Sequence, residues 1–319
     1  LNTVCFYHDN CPDGFTAAWV VSLANEGCRL VPVQYGQPLP PAEVYDGKDV
    51  YIVDFSYPPA ELAVMAEKAK SIVMLDHHAS AIDRWNGQPF VGDGVDRWWR
   101  GDDPHFSGQV RVWFDTTQSG AKLAWSRLFP DEYAPPLVRY IQDRDLWQWQ
   151  LPDSRAISAY IGTVHRTLSA WDELSELLMT DDGRRLAATI GGSILAANGL
   201  YVDAVAMRAV RWDMGHGVTV PVVNTTHLHS EVGERLNRGE VFSVTYFDDL
   251  VTGKRRFSLR SDKDSPTSAD VSKIAQGMGG GGHKHAAGFE AELGVSFEGV
   301  AFLLRNSYYH VTHQTGDSQ

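Results

Sequence analysis

The sequence predicts an α/β protein: an N-terminal parallel sheet with helices on both faces, a long connector helix, and a smaller C-terminal α/β domain. Three observations lead there. Strand-like and helix-like segments alternate over the first 80 residues, residues 184–211 can form one helix, and strand-like segments dominate the remainder. A length of 319 residues also suits two cores better than one. "TVCFY" (Thr3 to Tyr7) reads as an apolar strand running into His8, and "GFTAAWVVSLANEG" as a helix closed by Gly27. "RLVPVQY" is an edge strand, because Pro32 has no backbone donor. "DVYIVDF" is the third strand. "PPAELAVMAEKAK" follows as a helix with Leu62, Met65, Ala66 and Ala69 on one face, and "SIVML" is the fourth strand.

From about Ile82 to Gln118 the pattern weakens into a stretch rich in Gly, Asp and Trp, including "DRWWRGDDPHF", which reads as an irregular insertion or lid-like loop, with packing as the plain role of its tryptophans. Helices resume at "SGAKLAWSRLF" and "PPLVRYIQ" and continue to about Asp181. The expected divisions are 1–183 for the first domain, 184–211 for the connector, with Gly191 and Gly192 as weak points, and 212–319 for the second domain. In the second domain "VTVPVVN", "EVFSVTYF" and "KRRFSLRS" read as strands and "SEVGERLN" and "SADVSKIAQGM" as helices, ahead of "GGGGHKHAAGFEAEL".

Composition narrows the classes. With 43% hydrophobic and 21% charged residues and no apolar run of spanning length, the chain is expected to be globular, with no membrane partner. "LNTVCFYHD" lacks the basic and apolar regions of a secretory signal, so a cytoplasmic location is expected. Cys5, Cys11 and Cys28 form no CxxC pair, which argues against a disulfide framework or a structural zinc site. A net charge of -12 repels polyanions at long range, so a phosphate-bearing ligand needs local features to hold it.

Three strands end on an ionisable residue, namely His8, Asp54 and Asp76, and ligands of parallel sheets bind beyond the carboxyl ends of the strands. Asp13 lies at the entry to the first helix. Two carboxylates about 4 Å apart repel by roughly 4 kcal/mol at an effective dielectric near 20, so such a cluster must protonate or take up cations. Histidines beside carboxylates favour cations of the manganese type. Two such ions can share a carboxylate, activate water and clamp a phosphoryl group. Taken alone, a strand-end aspartate is more often a cap or turn residue; the set carries the reading.

In their order and spacing, "HDNCPDGFTAA", "VDFS", the "DHH" of "MLDHHAS" and "YIQDRDLW" resemble the motifs of the DHH phosphoesterase superfamily. That superfamily includes RecJ-like exonucleases, nano-RNA and pAp phosphatases, cyclic-dinucleotide phosphodiesterases and family II inorganic pyrophosphatases. "FSLRS" and "GGGGHKHAAGF" resemble its associated substrate-binding domain, so the likeness spans nearly the whole chain. The resemblance implies two divalent metal ions, Mn2+ first with Mg2+ or Co2+ as alternatives. Their ligands would be His8, Asp13, Asp54, Asp76 and His77 with one acid of "QDRD", Asp54 being the candidate bridge. In "QDRD" Asp143 is preferred and Asp145 is the reserve. His78 is implied to face the scissile phosphate as a donor, making His78, Asp76 and Asp54 the catalytic set. One departure stands out: Phe15 falls where many relatives carry a second aspartate, so either Asp9 substitutes or one metal is weakly held.

The run "GGGGHKHAAG", Gly279 to Gly288, lets backbone amides approach an anion, with flexible connection as the plain alternative. Gly280, Gly281, Gly282 and His283, together with Arg260 and Ser261, are expected to grip the non-reacting end of a nucleotide. Lys254 to Arg256 reads as a solvated face, Trp147 and Trp149 as packing before base stacking, and Cys11 as a small loop residue. The expected function is hydrolysis of phosphodiester bonds in a short single-stranded oligonucleotide or small nucleotide. The alternatives are a phosphatase or cyclic-dinucleotide phosphodiesterase of the same superfamily, and a catalytically impaired nucleotide-binding regulatory protein. Oligomeric state is left open.

Overall fold

A computed structural model describes residues 2–88, 90–91, 98–99 and 110–313. The chain divides into two compact units, Leu1–Leu195 and Ala196–Gln319.

The first unit begins β1 (Thr3–His8), α1 (Pro12–Ala24), β2 (Arg29–Val33), β3 (Asp49–Val53), α2 (Pro59–Ala66), β4 (Ser71–Asp76) and α3 (Ala79–Arg84). It continues with β5 (Phe90–Val91), β6 (Trp98–Trp99), β7 (Val110–Phe114), α4 (Gly120–Leu128), α5 (Pro136–Asp145), α6 (Ser154–Ile161), α7 (Leu168–Met179) and α8 (Asp181–Ala206), the last running past the unit boundary. The strand order is β2-β1-β3-β4-β7-β6-β5. The first five strands are all parallel, and β6 and β5 pair antiparallel at the far edge. Pro32 does lie in an edge strand.

Alternation along the strands builds a core on each face of this sheet. Val4, Phe6, Val50, Ile52 and Met74 pack with Leu62 and Met65 of α2. Cys5, Val53 and Leu75 pack on the other face with Trp19 of α1, Leu123 of α4 and Leu137 of α5. The stretch expected to be irregular contains a fifth parallel strand. β7 pairs with β4 and buries Val110 and Val112, a short alternation hidden in the sequence by its Gly- and Asp-rich surroundings. Much of "DRWWRGDDPHF" lies outside the described residues.

α8 passes Gly191 without interruption. A Cβ there would lie 1.8 Å from the Ala156 carbonyl oxygen, so the glycine permits close approach to α6, whereas Gly192 faces open space. The helix ends at Ala206, and Val210 and Arg211, expected in the connector, belong to the next strand.

The second unit contains β8 (Val210–Gly215), β9 (Val218–Asn224), α9 (His229–Leu236), β10 (Ser243–Asp249), β11 (Lys254–Arg260), α10 (Val271–Gly277), β12 (Gly281–His283), β13 (Ala286–Glu292) and α11 (Phe297–His313). Its mixed sheet has the order β12-β13-β11-β10-β9-β8, with only β9 and β10 parallel. Phe242, Phe257, Leu259, Ile274 and Leu304 anchor its core. No helix among the described residues is long and apolar enough to cross a membrane.

Candidate metal centre

The register of the parallel sheet brings the first three motifs together. Tyr7 pairs with Val53 and Val53 with Leu75, so His8, Asp54 and Asp76 leave neighbouring strands together at their carboxyl ends. Asp54 turns sharply there, with φ 54° and its N–H donating to the Leu75 carbonyl at 3.0 Å, a left-handed conformation that aspartate tolerates better than branched residues. Asp13 enters from the first turn of α1. Its carboxylate accepts the N–H groups of Gly120 and Ala121 at 2.5 and 3.0 Å, which ties it to the N-terminus of α4. A Cβ on Gly120 would lie 2.6 Å from the Asp54 Cβ, and one on Gly14 would lie 2.4 Å from the His8 carbonyl oxygen. Both glycines are needed for close approach.

His77 sits among three acids, its Nε2 lying 3.0 Å from Asp54 Oδ1, 3.6 Å from Asp145 Oδ2 and 3.7 Å from Asp13 Oδ2. His78 Nδ1 is 2.7 Å from Asp76 Oδ1, and His8 Nδ1 is 3.6 Å from Asp54 Oδ2. Asp13, Asp54, Asp76 and His77 are no more than 2% exposed. Within the first unit, three sets of side chains each bring one donor atom apiece within 4.8 Å of one another: Asp13, His77 and Asp145; Asp54, Asp76 and His78; and His8, Cys11 and Asp54. Asp54 belongs to two of them. Oδ2 of Asp54, Asp76 and Asp145 is buried with no hydrogen-bond partner among the described residues. Buried acceptors are ordinarily satisfied, so this donor set fits divalent cations.

The electrostatics point the same way. Burial opposes the charge on Asp54 and Asp76, but nearby histidines outweigh it and hold both carboxyls below their ordinary range. Burial, then repulsion from Asp145 and Asp54, pushes Asp13 well up; burial also raises Asp145, with Asp54 adding to it. Burial disfavours protonated His77, yet the hydrogen bond to Asp54 and the charges of Asp145, Asp54 and Asp13 push it up to about 10. His78 rises too, the charge and hydrogen bond of Asp76 overcoming burial. Without added cations the cluster therefore recruits protons.

Asp143 is the acid of "QDRD" expected among the ligands. Although buried, it spends both carboxylate oxygens on the backbone N–H groups of Gln150 and Leu151, at 2.9 and 3.2 Å, and so closes the turn after α5. Asp145 is the acid of "QDRD" that faces His77. Asp9 turns to the surface, where Asn10 and Gln34 hydrogen-bond its oxygens. Phe15 is buried against Trp171 and Tyr7, with ring centroids at 5.0 and 5.7 Å. Gly14, Gly120 and Tyr35 were missed. Tyr35 stacks on Phe55 at 4.3 Å and lies edge-on to His8 and His78, still 41% exposed. "QSGAK" carries a helix-start signal, Ser119 accepting the Lys122 N–H, but no signal of what Gly120 approaches. Trp147 and Trp149 pack edge to face, with Arg155 over both.

In the second unit the guanidinium of Arg260 donates to Ser230 Oγ and to the Leu259 carbonyl, both at 2.8 Å, and burial pulls it down to about 10. Ser261 Oγ lies 3.0 Å from His285 Nδ1. The glycine run is no flexible connection. Gly281, Gly282 and His283 form the edge strand β12, and a Cβ on Gly280 would lie 2.0 Å from the Gly288 carbonyl oxygen. Lys254, Arg255 and Arg256 are paired with Glu292, Asp248, and Asp249 and Glu290 respectively.

No protein-family model matches the chain. Protein R106 of Acanthamoeba polyphaga mimivirus, an uncharacterized protein, is 25% identical over 322 residues, covering 94% of this chain and 69% of its own. Similar solved structures include a pGpG-specific phosphodiesterase, PggH, from Vibrio cholerae, at 11% identity and TM-score 0.48, covering 96% of this chain and 98% of that one. RecJ in complex with Mg2+ from Thermus thermophilus is 15% identical with TM-score 0.43, covering 96% of this chain and 49% of its own. An exopolyphosphatase-related protein from Bacteroides fragilis is 11% identical with TM-score 0.48, covering 98% and 94%. The parallel first sheet, the mixed second sheet and the meeting of the first three motifs at the carboxyl ends of β1, β3 and β4 are the arrangement that the resemblance to DHH phosphoesterases implies.

Proposed function

We propose that the chain is a metal-dependent phosphoesterase of the DHH type that hydrolyses phosphodiester bonds of short oligonucleotides or small nucleotides with two divalent ions, Mn2+ foremost. The observation that carries this reading is the trio of buried carboxylate oxygens, on Asp54, Asp76 and Asp145, without hydrogen-bond partners beside the histidines of the first and third motifs. His8, Asp13, Asp54, Asp76, His77 and Asp145 would hold the ions, with Asp54 shared because it belongs to two donor sets. When bound, such ions activate water and neutralise charge on the phosphoryl group.

Asp76 Oδ1 accepts a hydrogen bond from the Nδ1–H of protonated His78, which fixes the ring and leaves the imidazolium's other proton on Nε2. We assign that proton to the leaving oxygen. The raised pKa of His78 keeps it available near neutral pH. In the second unit the planar fork of Arg260, steadied by Ser230, is assigned to a substrate phosphate, with Ser261, Gly280, Gly281, Gly282 and His283 assigned to the same task.

The test is a panel of labelled dinucleotides, longer single strands, pAp, cyclic dinucleotides and pyrophosphate offered to the manganese-loaded protein. Dinucleotides and short strands should turn over fastest. Equal turnover of long strands would refute the preference for short substrates, and cleavage confined to pAp or cyclic dinucleotides would select those activities instead. Nucleotide binding with no turnover of any substrate would identify a regulatory protein. Asp76→Ala should remove both metal retention and turnover, whereas Arg260→Ala should chiefly raise KM.

A further inference from the structure

Phe15 leaves the first motif one acid short, and the structure does not restore that acid from the position sequence suggests. Asp9 is occupied at the surface by Asn10 and Gln34. The side chain that does reach the cluster is Cys11, at the N-cap of α1 and half-buried. A ring nitrogen of His8, the Cys11 sulfur and a carboxylate oxygen of Asp54 all lie within 4.8 Å of one another. A second observation is independent of the thiol. Asp54 is 1% exposed and its Oδ2 has no hydrogen-bond partner, the nearest histidine nitrogen, His8 Nδ1, standing 3.6 Å away. Cys5 and Cys28 are buried elsewhere in the first unit, on the α1 face of the sheet, and join no donor set among the described residues.

We propose that Cys11 is a ligand of one of the two ions, completing a His8–Cys11–Asp54 position that prefers a thiophilic divalent ion such as zinc or cobalt. The Asp13–His77–Asp145 position, all oxygen and nitrogen, keeps the manganese-type preference. The inference rests on the two-ion reading above and goes beyond it in making the two positions chemically unequal. On binding, the thiol gives its proton to solvent and the sulfur lone pair forms the bond to the ion, with no change of oxidation state.

Cobalt reports directly on sulfur ligation, through a thiolate-to-cobalt charge-transfer band in the near ultraviolet, independently of turnover. The full-length chain, stripped with a chelator, would be titrated with cobalt while absorbance and bound metal are recorded. The band is expected to saturate with one of two bound equivalents. Cys11→Ser should lose the band and weaken one equivalent by about tenfold or more. Cys11→Asp should also lose it while retaining two ions, its selectivity shifted from zinc toward manganese. Cys28→Ser should keep it. Two bound equivalents without a band in the wild-type chain, or a band that survives Cys11→Ser, would overturn the proposal and leave the two-ion reading intact. Failure to bind any cobalt, manganese or zinc would sink both.

Discussion

At the scale of single residues, the fourth motif shows how two acids two positions apart divide their work. Asp143 satisfies backbone donors, and Asp145 turns an unsatisfied oxygen toward His77. Asp143→Ala should therefore destabilise the chain by about 1–3 kcal/mol in denaturant unfolding, since two N–H groups lose their acceptor, while metal stoichiometry stays the same. Asp145→Asn should do the reverse, weakening metal affinity by at least about tenfold with little change in stability. Retained affinity in Asp145→Asn alongside lost affinity in Asp143→Ala would restore the assignment made from sequence. The histidines add a pH dependence. His77 is pushed up to about 10 in the folded chain from an ordinary value of 6.5, so its contribution to stability is complete below about 6.5 and is lost as pH rises through about 10. Asp13 and Asp145, also raised, act in the same direction at lower pH; Asp54 and Asp76, lowered, withdraw their contribution only on acidification. In chelator, the unfolding midpoint should decline between neutral pH and pH 10. With manganese bound that decline should shrink, because a ligating imidazole carries no proton to lose from its bonded nitrogen. A flat chelated profile would show that His77 is not protonated by its acids.

At the scale of elements, the centre depends on two helix starts meeting three strand ends at very short range. α4 can donate its first amides to Asp13 only because residue 120 has no side chain. In Gly120→Ala the added methyl would fall on the Asp54 Cβ, moving either the helix or the bridge candidate. Metal affinity should drop by about tenfold or more, read by equilibrium dialysis, even where the fold survives. Two adjacent glycines of α8 offer a sharper contrast. Gly191→Ala places its methyl against the Ala156 carbonyl and should cost about 1–3 kcal/mol, while Gly192→Ala meets nothing within 4 Å and should be neutral or stabilise by up to about 1 kcal/mol. Equal effects in the two variants would mean that α8 does not approach α6 as described.

At the scale of the whole molecule, two units with separate cores make separate unfolding steps the natural expectation, and the donor residues assigned to the ions all belong to the first unit. In calorimetry, manganese at about one hundred times its Kd should stabilise one transition by about 2.7 kcal/mol and leave the other in place. A single transition would show that the units do not unfold separately, and equal shifts of two would show that the ions are not held by the first unit alone. Consecutive residues suffice for the alternation of strand and helix, the strand ends that carry His8, Asp54 and Asp76, the edge position of Pro32 and the three central strands β9, β10 and β11 of the second sheet, because each is a local pattern of period or punctuation; β8, β12 and β13 carry no such pattern. Only the tertiary structure decided that "VRVWF" is a fifth parallel strand, that Asp145 and not Asp143 faces the cluster, that Cys11 stands beside His8 and Asp54, and that Gly14 and Gly120 are needed for close approach. Each of those depends on which oxygen, sulfur or backbone atom arrives from a distant part of the chain. Distances of a few ångströms between such segments are fixed by packing and register, which no local pattern records.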